Sequence, residues 1–373
     1  MSKKSFTKKY NISGPVNIIR LTNGTKIVYI FGDRHNPINN QIECPYSEQI
    51  PSIRIDSFFE KFFKKNPDKK FDFFYEGFIN MHPELIPKEQ SNFLASTKFY
   101  TDNYFEQIIK LVFNNIKLVD NKIHSSKHFE NIRLHYFNFR SIIPHFLYFF
   151  NNENNLNDLI FKFKYQSIFN ILTDYKQRIN EILDFFNKSN NKYIKKIISK
   201  YTNKDIKKII LNIYNIYVIE QFKKIIQLID ETISYIQKTP ELHNIYTNID
   251  KSYSNNRFIY INILKINNFI KNSFANITDI FLIRRLLDKD YINNCIIYTG
   301  TYHMIAISYL LIKYFNFKIT HVANSDKFIK YKDINEIFIN KNLTEYDDIM
   351  FLSYFLDDGL QCSNLFDFPD NLE

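Results

Sequence analysis

The pattern of apolar and polar positions predicts a β-hairpin near the start of the chain. Residues 16–21 alternate apolar and polar side chains, and residues 26–31 form an apolar run. Residues 22–25 between them contain an Asn-Gly pair, which is typical of a tight hairpin turn. Similar patterns in the first third of the chain predict helices at 52–65 and 100–114 and strands at 71–75, 116–120 and 132–139.

Apolar residues recur at intervals of three and four over residues 141–287, which predicts several long helices. Glycine is absent there and proline occurs only at Pro144 and Pro240. The pattern then predicts a strand at 294–298, a helix at 304–315 and a strand at 317–322. This order predicts an α/β fold, with a central mixed sheet, flanking helices and a large, mostly helical insertion. We expect the α/β domain to occupy 1–140 and 275–342, the insertion 141–274, and an acidic tail 343–373.

Charge is distributed unevenly along the 373 residues, whose formal net charge is +10. Residues 191–230 contain nine lysines and three acidic residues, whereas residues 343–373 contain eight acidic residues and no lysine or arginine. A basic patch with interleaved tyrosines can bind nucleic acid through its phosphates. The alternative, which we favour, is the lysine-coated solvent face of amphipathic helices.

Neither a membrane span nor a signal peptide is predicted. The longest apolar runs, such as 304–312, are far shorter than the roughly 20 residues that a spanning helix needs. The three cysteines, Cys44, Cys295 and Cys362, are far apart and form no Cys-x-x-Cys pair. We therefore expect no disulfide framework and no zinc ribbon. These features predict an intracellular protein in a reducing compartment.

Three predicted strands end at side chains that can carry chemistry. Two of these strands lead into Gly-x-x-His segments, at 32–35 and 300–303, and Glu76 follows the strand at 71–75. The carboxyl ends of parallel strands line the ligand crevice of an α/β sheet, so we expect His35, Glu76 and His303 to converge. Two imidazoles and a carboxylate can bind a divalent metal ion. Alternatively, one histidine acts as general base on water with Glu76 as its partner, or both segments are ordinary turns.

The same segments resemble a known superfamily. The residues GDRH at 32–35, YEGF at 75–78 and GTYH at 300–303 are similar to motifs of the TraB/TIKI superfamily, which includes ChaN-like and erythromycin-esterase-like proteins. The resemblance covers roughly residues 15–80 and 275–325 and does not cover the helical block. In overall character the chain also resembles uncharacterised proteins of giant DNA viruses.

The resemblance implies a metal-assisted or histidine-based hydrolase site in a mixed α/β fold. His35 and His303 match the two motif histidines, and Glu76 matches the acidic position. Arg284, in an Asp-x-Phe-x-x-Arg element, matches an arginine that would bind an anionic part of the substrate. Where the similar viral proteins have an Asp-x-Arg element, this chain has Asn138 before Arg140. The remaining candidate site residues are Asp33, Arg34, Arg140, Asp279 and Tyr302.

These observations lead to one main prediction and two alternatives. The main prediction is a hydrolase for a small-molecule or peptide substrate, with His35, Glu76, His303 and Arg284 as catalytic residues. The first three would also be ligands of Mn, Co, Zn or Fe. The first alternative is a catalytically inactive structural or host-interaction protein, associated with a virion. The second is a basic nucleic-acid binder, which we expect least. A viral protein of this kind would be found in the host cytoplasm or the virion.

Overall fold

A six-stranded mixed sheet lies in the first of two structural units of the computed structural model. The first unit comprises residues 1–84, 91–138 and 282–373, and the second comprises 85–90 and 139–281. The structure describes residues 11–36, 44, 52–76, 108, 117–119, 122–124, 129–149, 152, 156, 159, 162, 164–188, 191–239, 249–323, 331–340, 361–365 and 368–369.

The strands of the central sheet are β2 (Asn17–Thr22), β3 (Ile27–Asp33), β5 (Phe71–Tyr75), β8 (Ile132–Tyr136), β9 (Asn294–Gly300) and β10 (Lys318–Val322). Their order across the sheet is β10-β2-β3-β9-β5-β8. The hairpin predicted at the start of the chain is β2 and β3, which pair antiparallel. By contrast, β3, β9, β5 and β8 run parallel. In this register Asp33 pairs with Gly300, so the two Gly-x-x-His segments leave neighbouring strand ends.

Two small sheets accompany the central sheet. β1 (Asn11–Ser13) pairs in parallel with β4 (Ser52–Arg54) and antiparallel with β11 (Cys362–Asn364). β6 (Lys117–Val119) and β7 (Lys122–His124) form an antiparallel pair. The segment predicted as an acidic tail therefore contains a strand that is built into the first unit.

One face of the central sheet packs against α1 (Ile55–Lys65) through aromatic side chains. The ring of Phe59 lies 5.0 Å from that of Phe31 and 5.3 Å from that of Phe73, measured between centroids. α7 (Thr301–Phe315) is buried along most of its length, as its apolar sequence requires. The described part of the first unit also contains α8 (Tyr331–Asn340).

The second unit is helical, as the three-and-four spacing predicts. Its helices are α2 (Tyr165–Lys188), α3 (Lys192–Ile198), α4 (Lys204–Tyr214), α5 (Glu220–Lys238) and most of α6 (Ile249–Asp288), with a π-helical turn at Asn215–Ile219. α3 and α4 bury isoleucines, while half of their lysines are exposed and the others are half-buried, which is the amphipathic pattern we favoured for this basic stretch. The predicted α/β fold with a mixed sheet and long helical segments is confirmed.

The expectation that no disulfide forms is wrong. Cys44 and Cys362 are joined by a disulfide across a sequence separation of 318 residues. Cys362 lies on β11, whose pairing with β1 depends on tertiary structure and leaves no signal in the spacing of the cysteines. Disulfides persist in oxidising surroundings, so this bond removes the argument for a reducing compartment. The third cysteine, Cys295, is free and buried.

Most of the helix predicted at 100–114, apart from residue 108, and most of the segment 343–373 lie outside the described residues. Within the described ranges, none of the helices is both long and apolar enough to cross a membrane.

Candidate functional site

The side chains of the candidate site follow the carboxyl ends of three adjacent parallel strands. β9 lies between β3 and β5 in the central sheet. His35 follows β3, Glu76 follows β5, and His303 lies in the first turn of α7, directly after β9. The structure thus brings these three residues to the same end of the sheet, where α/β folds commonly bind ligands.

Glu76 is the centre of the site and is almost fully buried. Its Oε2 accepts hydrogen bonds from the Thr299 hydroxyl, at 2.6 Å, and from the backbone N–H of Gly300, at 2.8 Å. Its Oε1 lies 3.0 Å from Nε2 of His303. Gly300 is the residue that caps the N-terminus of α7, where a negative charge is stabilised by the helix dipole. These contacts fix the carboxylate at the carboxyl end of β9.

His35 approaches the same carboxylate from the other side and is the most exposed of the three residues. Its side chain is 28% exposed, compared with 5% for His303, and its Nε2 lies 3.8 Å from Oε2 of Glu76. The backbone of His35 is left-handed, with φ of 60°, which few residues other than glycine adopt. A Cβ at position 300 would lie 2.7 Å from Nε2 of His35, so Gly300 is required for this close approach.

Asp33 lies on the Nδ1 side of the His35 ring and is fully buried. Its Oδ2 is 4.0 Å from Nδ1 of His35 and accepts a hydrogen bond from the Tyr298 hydroxyl at 3.2 Å. Its Oδ1 accepts from the backbone N–H of Arg34, at 2.7 Å, and from the Gln361 amide, at 3.4 Å. Burial raises the pKa of Asp33 to about 7, although these hydrogen bonds act in the opposite direction. The carboxyl group therefore changes its charge near neutral pH.

Arg284 lies on α6 and is buried. Its Nη2 is 3.3 Å from Oδ2 of Asp288, and Nζ of Lys289 is 3.2 Å from the same oxygen. The anion-binding role of Arg284 stays a prediction.

The other candidates lie in different surroundings. Arg34 is exposed, and the Tyr302 ring packs 5.8 Å from that of His303. Asp279 and Arg140 belong to the second unit. Asp279 is buried on α6, and the Arg140 guanidinium lies 5.9 Å from the centroid of the Phe146 ring. Asp33 and Tyr302 are thus the candidates of this group with a described contact to a motif histidine, His35 and His303 respectively.

The side chains around Glu76 offer chemically suitable metal donors, because imidazole nitrogens and carboxylate oxygens bind divalent ions. However, no group of three His, Cys, Asp or Glu residues in the described part of the chain has the arrangement of a metal site. The hydrogen bonds of Glu76 agree with this, because Thr299, Gly300 and His303 already contact both of its oxygens. The metal-binding role of His35, Glu76 and His303 stays a prediction.

Three residues of the site were missed at the level of sequence. Thr299 and Tyr298 directly precede Gly300, and their position at the end of a predicted strand is a signal that could have found them. Gln361 lies in the acidic C-terminal segment, and nothing in the sequence links it to Asp33. Only the pairing of β11 with β1 brings it to the site.

A second group of ionisable side chains lies near the opposite ends of the strands. Asp72, near the start of β5, accepts hydrogen bonds from Nε and Nη2 of Arg133 and lies 2.6 Å from Nε2 of His135. Burial raises the pKa of Asp72 and is the largest single effect. The contacts with His135 and Arg133 together outweigh it, so the pKa of Asp72 is lowered from its ordinary value. Burial also lowers the pKa of His135. This ion pair joins β5 to β8 and has the character of a structural contact.

Comparison with known proteins places the chain in a family. The model of DUF5847, described as a family of unknown function, matches residues 10–193 and 160–373. The chain belongs to this family. It is similar to "Uncharacterized protein R706" of Acanthamoeba polyphaga mimivirus, with 29% identity over 424 residues and 97% of each chain covered. "Uncharacterized protein R161" of the same virus is 28% identical over 441 residues, which cover 97% of this chain and 98% of the relative.

These relatives confirm the giant-virus character that the sequence suggested. No solved structure matches the chain.

Proposed function

We propose that this member of DUF5847 is a hydrolase in which His35 activates a water molecule. The observation that carries the proposal is the position of His35, a partly exposed imidazole that lies between two buried carboxyl groups. Asp33 is 4.0 Å from its Nδ1, and Glu76 is 3.8 Å from its Nε2. A base in this position gains electrostatic stabilisation as it takes up a proton.

The proposed reaction uses the chain's own side chains. His35 removes a proton from water as the water oxygen attacks the electrophilic centre of the substrate. Asp33 and Glu76 stabilise the imidazolium that forms, and His35 then returns the proton to the leaving group. His303 keeps the Glu76 carboxylate in place through the 3.0 Å contact between its Nε2 and Oε1.

The resemblance to the TraB/TIKI superfamily supports a hydrolase as the reaction class. The motif positions that this resemblance singles out are His35, Glu76 and His303, which lie close together at the carboxyl ends of β3, β5 and β9. Superfamily members use different chemistries, so the resemblance supports hydrolysis without choosing a substrate.

The direct test is the His35→Asn variant. Asparagine tolerates left-handed backbone better than most residues, so this change removes the base with little backbone strain. The matched control is His145→Asn, because His145 has φ of 62° and lies in the second unit. Both proteins and the wild type would be assayed on p-nitrophenyl esters, p-nitrophenyl phosphate, bis-p-nitrophenyl phosphate and a quenched peptide library.

We expect turnover of at least one class by the wild type in the presence of a chelator. His35→Asn should lower it by about 10²–10⁴-fold, the usual contribution of a general base, while His145→Asn stays within about twofold. Equal activity of His35→Asn and wild type would refute the proposal. Activity that appears only when Mn, Co, Zn or Fe is added would replace the metal-free reaction with a metal-assisted one. A folded wild type that turns over no substrate would favour the inactive structural alternative.

A further inference from the structure

The amide of Gln361 contacts the chain on both sides of His35. Its Nε2 lies 3.4 Å from Oδ1 of Asp33, to which it donates, and its Oε1 accepts from Nδ2 of Asn36 at 3.4 Å. Nε2 also donates to the carbonyl oxygen of Gly14 at 3.3 Å. Gln361 is 2% exposed, so its contacts with Asp33 and Gly14 are shielded from water, whereas the contact with Asn36 is partly buried. One buried side chain therefore connects the two ends of the short segment that carries the proposed base.

This segment needs support from its surroundings. A non-glycine residue with left-handed backbone costs free energy, and it persists only where neighbouring contacts hold it in place. His35 adopts that backbone with φ of 60° and leaves its Nε2 3.8 Å from Glu76. Contacts at Asp33 and Asn36, on either side of His35, are suited to hold this conformation.

Gln361 is in turn held by a small sheet and a covalent bond. The N–H of Gly14 donates to the Gln361 carbonyl at 3.0 Å, and the next residue, Cys362, pairs with Ser13 in β1. The strands of this sheet have three residues each, a length that is marginal without further support. The disulfide between Cys362 and Cys44 supplies that support directly beside Gln361.

We propose that Gln361 is a positioning residue for His35, and that the Cys44–Cys362 disulfide holds Gln361 in place, so that the site is assembled only in the oxidised protein. This inference rests on the proposed function. A dithiol provides the reducing step. One of its thiolates attacks the Cys44–Cys362 bond, which forms a mixed disulfide with one cysteine and releases the other as a thiol; the second thiolate then breaks the mixed disulfide, which releases the second cysteine thiol and closes the dithiol into a cyclic disulfide. Two electrons and two protons pass to the protein, and the reverse exchange with an oxidised dithiol restores the bond.

The test uses the full-length protein in three variants. Gln361→Met keeps the length of the side chain and removes its amide, while leaving the disulfide intact. The double variant Cys44→Ser/Cys362→Ser removes the disulfide and leaves Gln361 unchanged. The matched control is Cys295→Ala, which removes the buried free cysteine and keeps the disulfide. Each protein is measured with and without dithiothreitol, after circular dichroism has shown that it is folded.

Two measurements need no substrate. The first is the set of side-chain NMR signals of His35, and the second is hydrogen exchange at the amide of Gly14. Reduction of the wild type should shift the His35 signals and speed exchange at Gly14 by at least about tenfold, because the bond to Gln361 is then less protected. The serine double variant should show both effects without reductant and no response to it. Gln361→Met should shift the His35 signals in the oxidised state.

Turnover gives the third measurement. Gln361→Met should lower kcat by about tenfold with KM changed less than about twofold, since a displaced base affects the chemical step. Oxidised Cys295→Ala should have the same kcat and KM as the oxidised wild type. On reduction it should lose activity to the same extent as the wild type does. Unchanged His35 signals in Gln361→Met, or unchanged Gly14 exchange on reduction, would overturn the inference. If the NMR and exchange results are as expected but no substrate is turned over, the positioning role stands and the proposed hydrolysis fails.

Discussion

The charge of Asp33 offers a prediction that needs no substrate. Its carboxyl group is fully buried, and burial raises its pKa from 3.8 to about 7. Asp33→Asn replaces this group with an amide of nearly the same shape that never ionises. The amide oxygen can still accept from the backbone N–H of Arg34, which lies 2.7 Å from Oδ1. The substitution therefore isolates the cost of the buried charge.

The sign of the effect follows from proton binding. Between pH 3.8 and about 7 the folded protein keeps the proton on Asp33, whereas the unfolded chain loses it. The free energy of unfolding therefore falls as the pH rises through this range, by about 1.4 kcal/mol for each pH unit. Over the whole interval the wild type loses about 4 kcal/mol of unfolding free energy. Above pH 7 we therefore expect Asp33→Asn to be more stable than the wild type by this amount. Below pH 4 both proteins carry a neutral group at this position, and the difference should be small.

The measurement is urea denaturation of wild type and variant at pH values from 4 to 9. Other titrating groups are common to both proteins, so their contributions largely cancel in the difference. A ¹³C titration of the Asp33 carboxyl carbon gives its pKa directly. If the carbon titrates near pH 4 and the difference in unfolding free energy does not change with pH, the argument from burial is refuted. If hydrolysis is observed, its rise through pH 7 should be lost in Asp33→Asn.

Three other predictions test the construction of the site. Gly300→Ala should displace the His35 ring by about 0.7 Å, because the 2.7 Å contact between the new Cβ and Nε2 of His35 must widen to the ordinary 3.4 Å. A crystal structure of the variant would show this displacement. Turnover by the variant should fall by up to about 10²-fold. Glu76→Gln should lower the free energy of unfolding by about 1–3 kcal/mol in urea denaturation, because a buried, hydrogen-bonded charge is lost. Reduction of the Cys44–Cys362 disulfide should lower it by about 2–4 kcal/mol in the same assay with dithiothreitol.

Two of these predictions have a control within the chain. Gly32→Ala places a Cβ 2.7 Å from Sδ of Met304, a flexible thioether that can move aside, so His35 should keep its position. An unmoved His35 ring in Gly300→Ala would contradict the close-approach argument. For the reduction experiment, Cys295→Ala should respond as the wild type does. Equal stability of Glu76→Gln and wild type would show that the carboxylate charge is unimportant to the fold.

The regular elements were predictable because their sequences carry strong local signals. The strand predicted at 71–75 is β5 with the same limits, and the Asn-Gly pair fixed the hairpin of β2 and β3. The helix predicted from residue 304 begins at Thr301, because Gly300 ends β9 and caps α7 at once. The short strands β1, β4 and β11 were not predicted. Three residues cannot show an alternating pattern, and their pairing depends on contacts made in the folded chain.

The site residues also fall into those that local sequence signals predict and those that depend on tertiary contacts. His35, Glu76 and His303 could be named because each lies directly after a strong strand signal, beside glycine or within a repeated motif. Asp33 could be named as a candidate, but its burial and raised pKa depend on side chains packed around it, including Tyr298. Gln361 could not be named, because more than 300 residues separate it from the segment it contacts.

The pairing of the two Gly-x-x-His segments has a physical explanation that neither segment gives alone. The space that a Cβ would occupy at Gly300 is taken by His35, and the space at Gly32 is taken by Met304, which follows His303. Each glycine therefore makes room, across the β3–β9 pair, for a side chain in the other segment or directly after it. Neither close contact requires unusual backbone at the glycine, since Gly300 has φ of −65°. A single Gly-x-x-His segment would have no comparable reason for its glycine, so the two motifs act as one interlocking structural feature that sets the distance between His35 and Glu76.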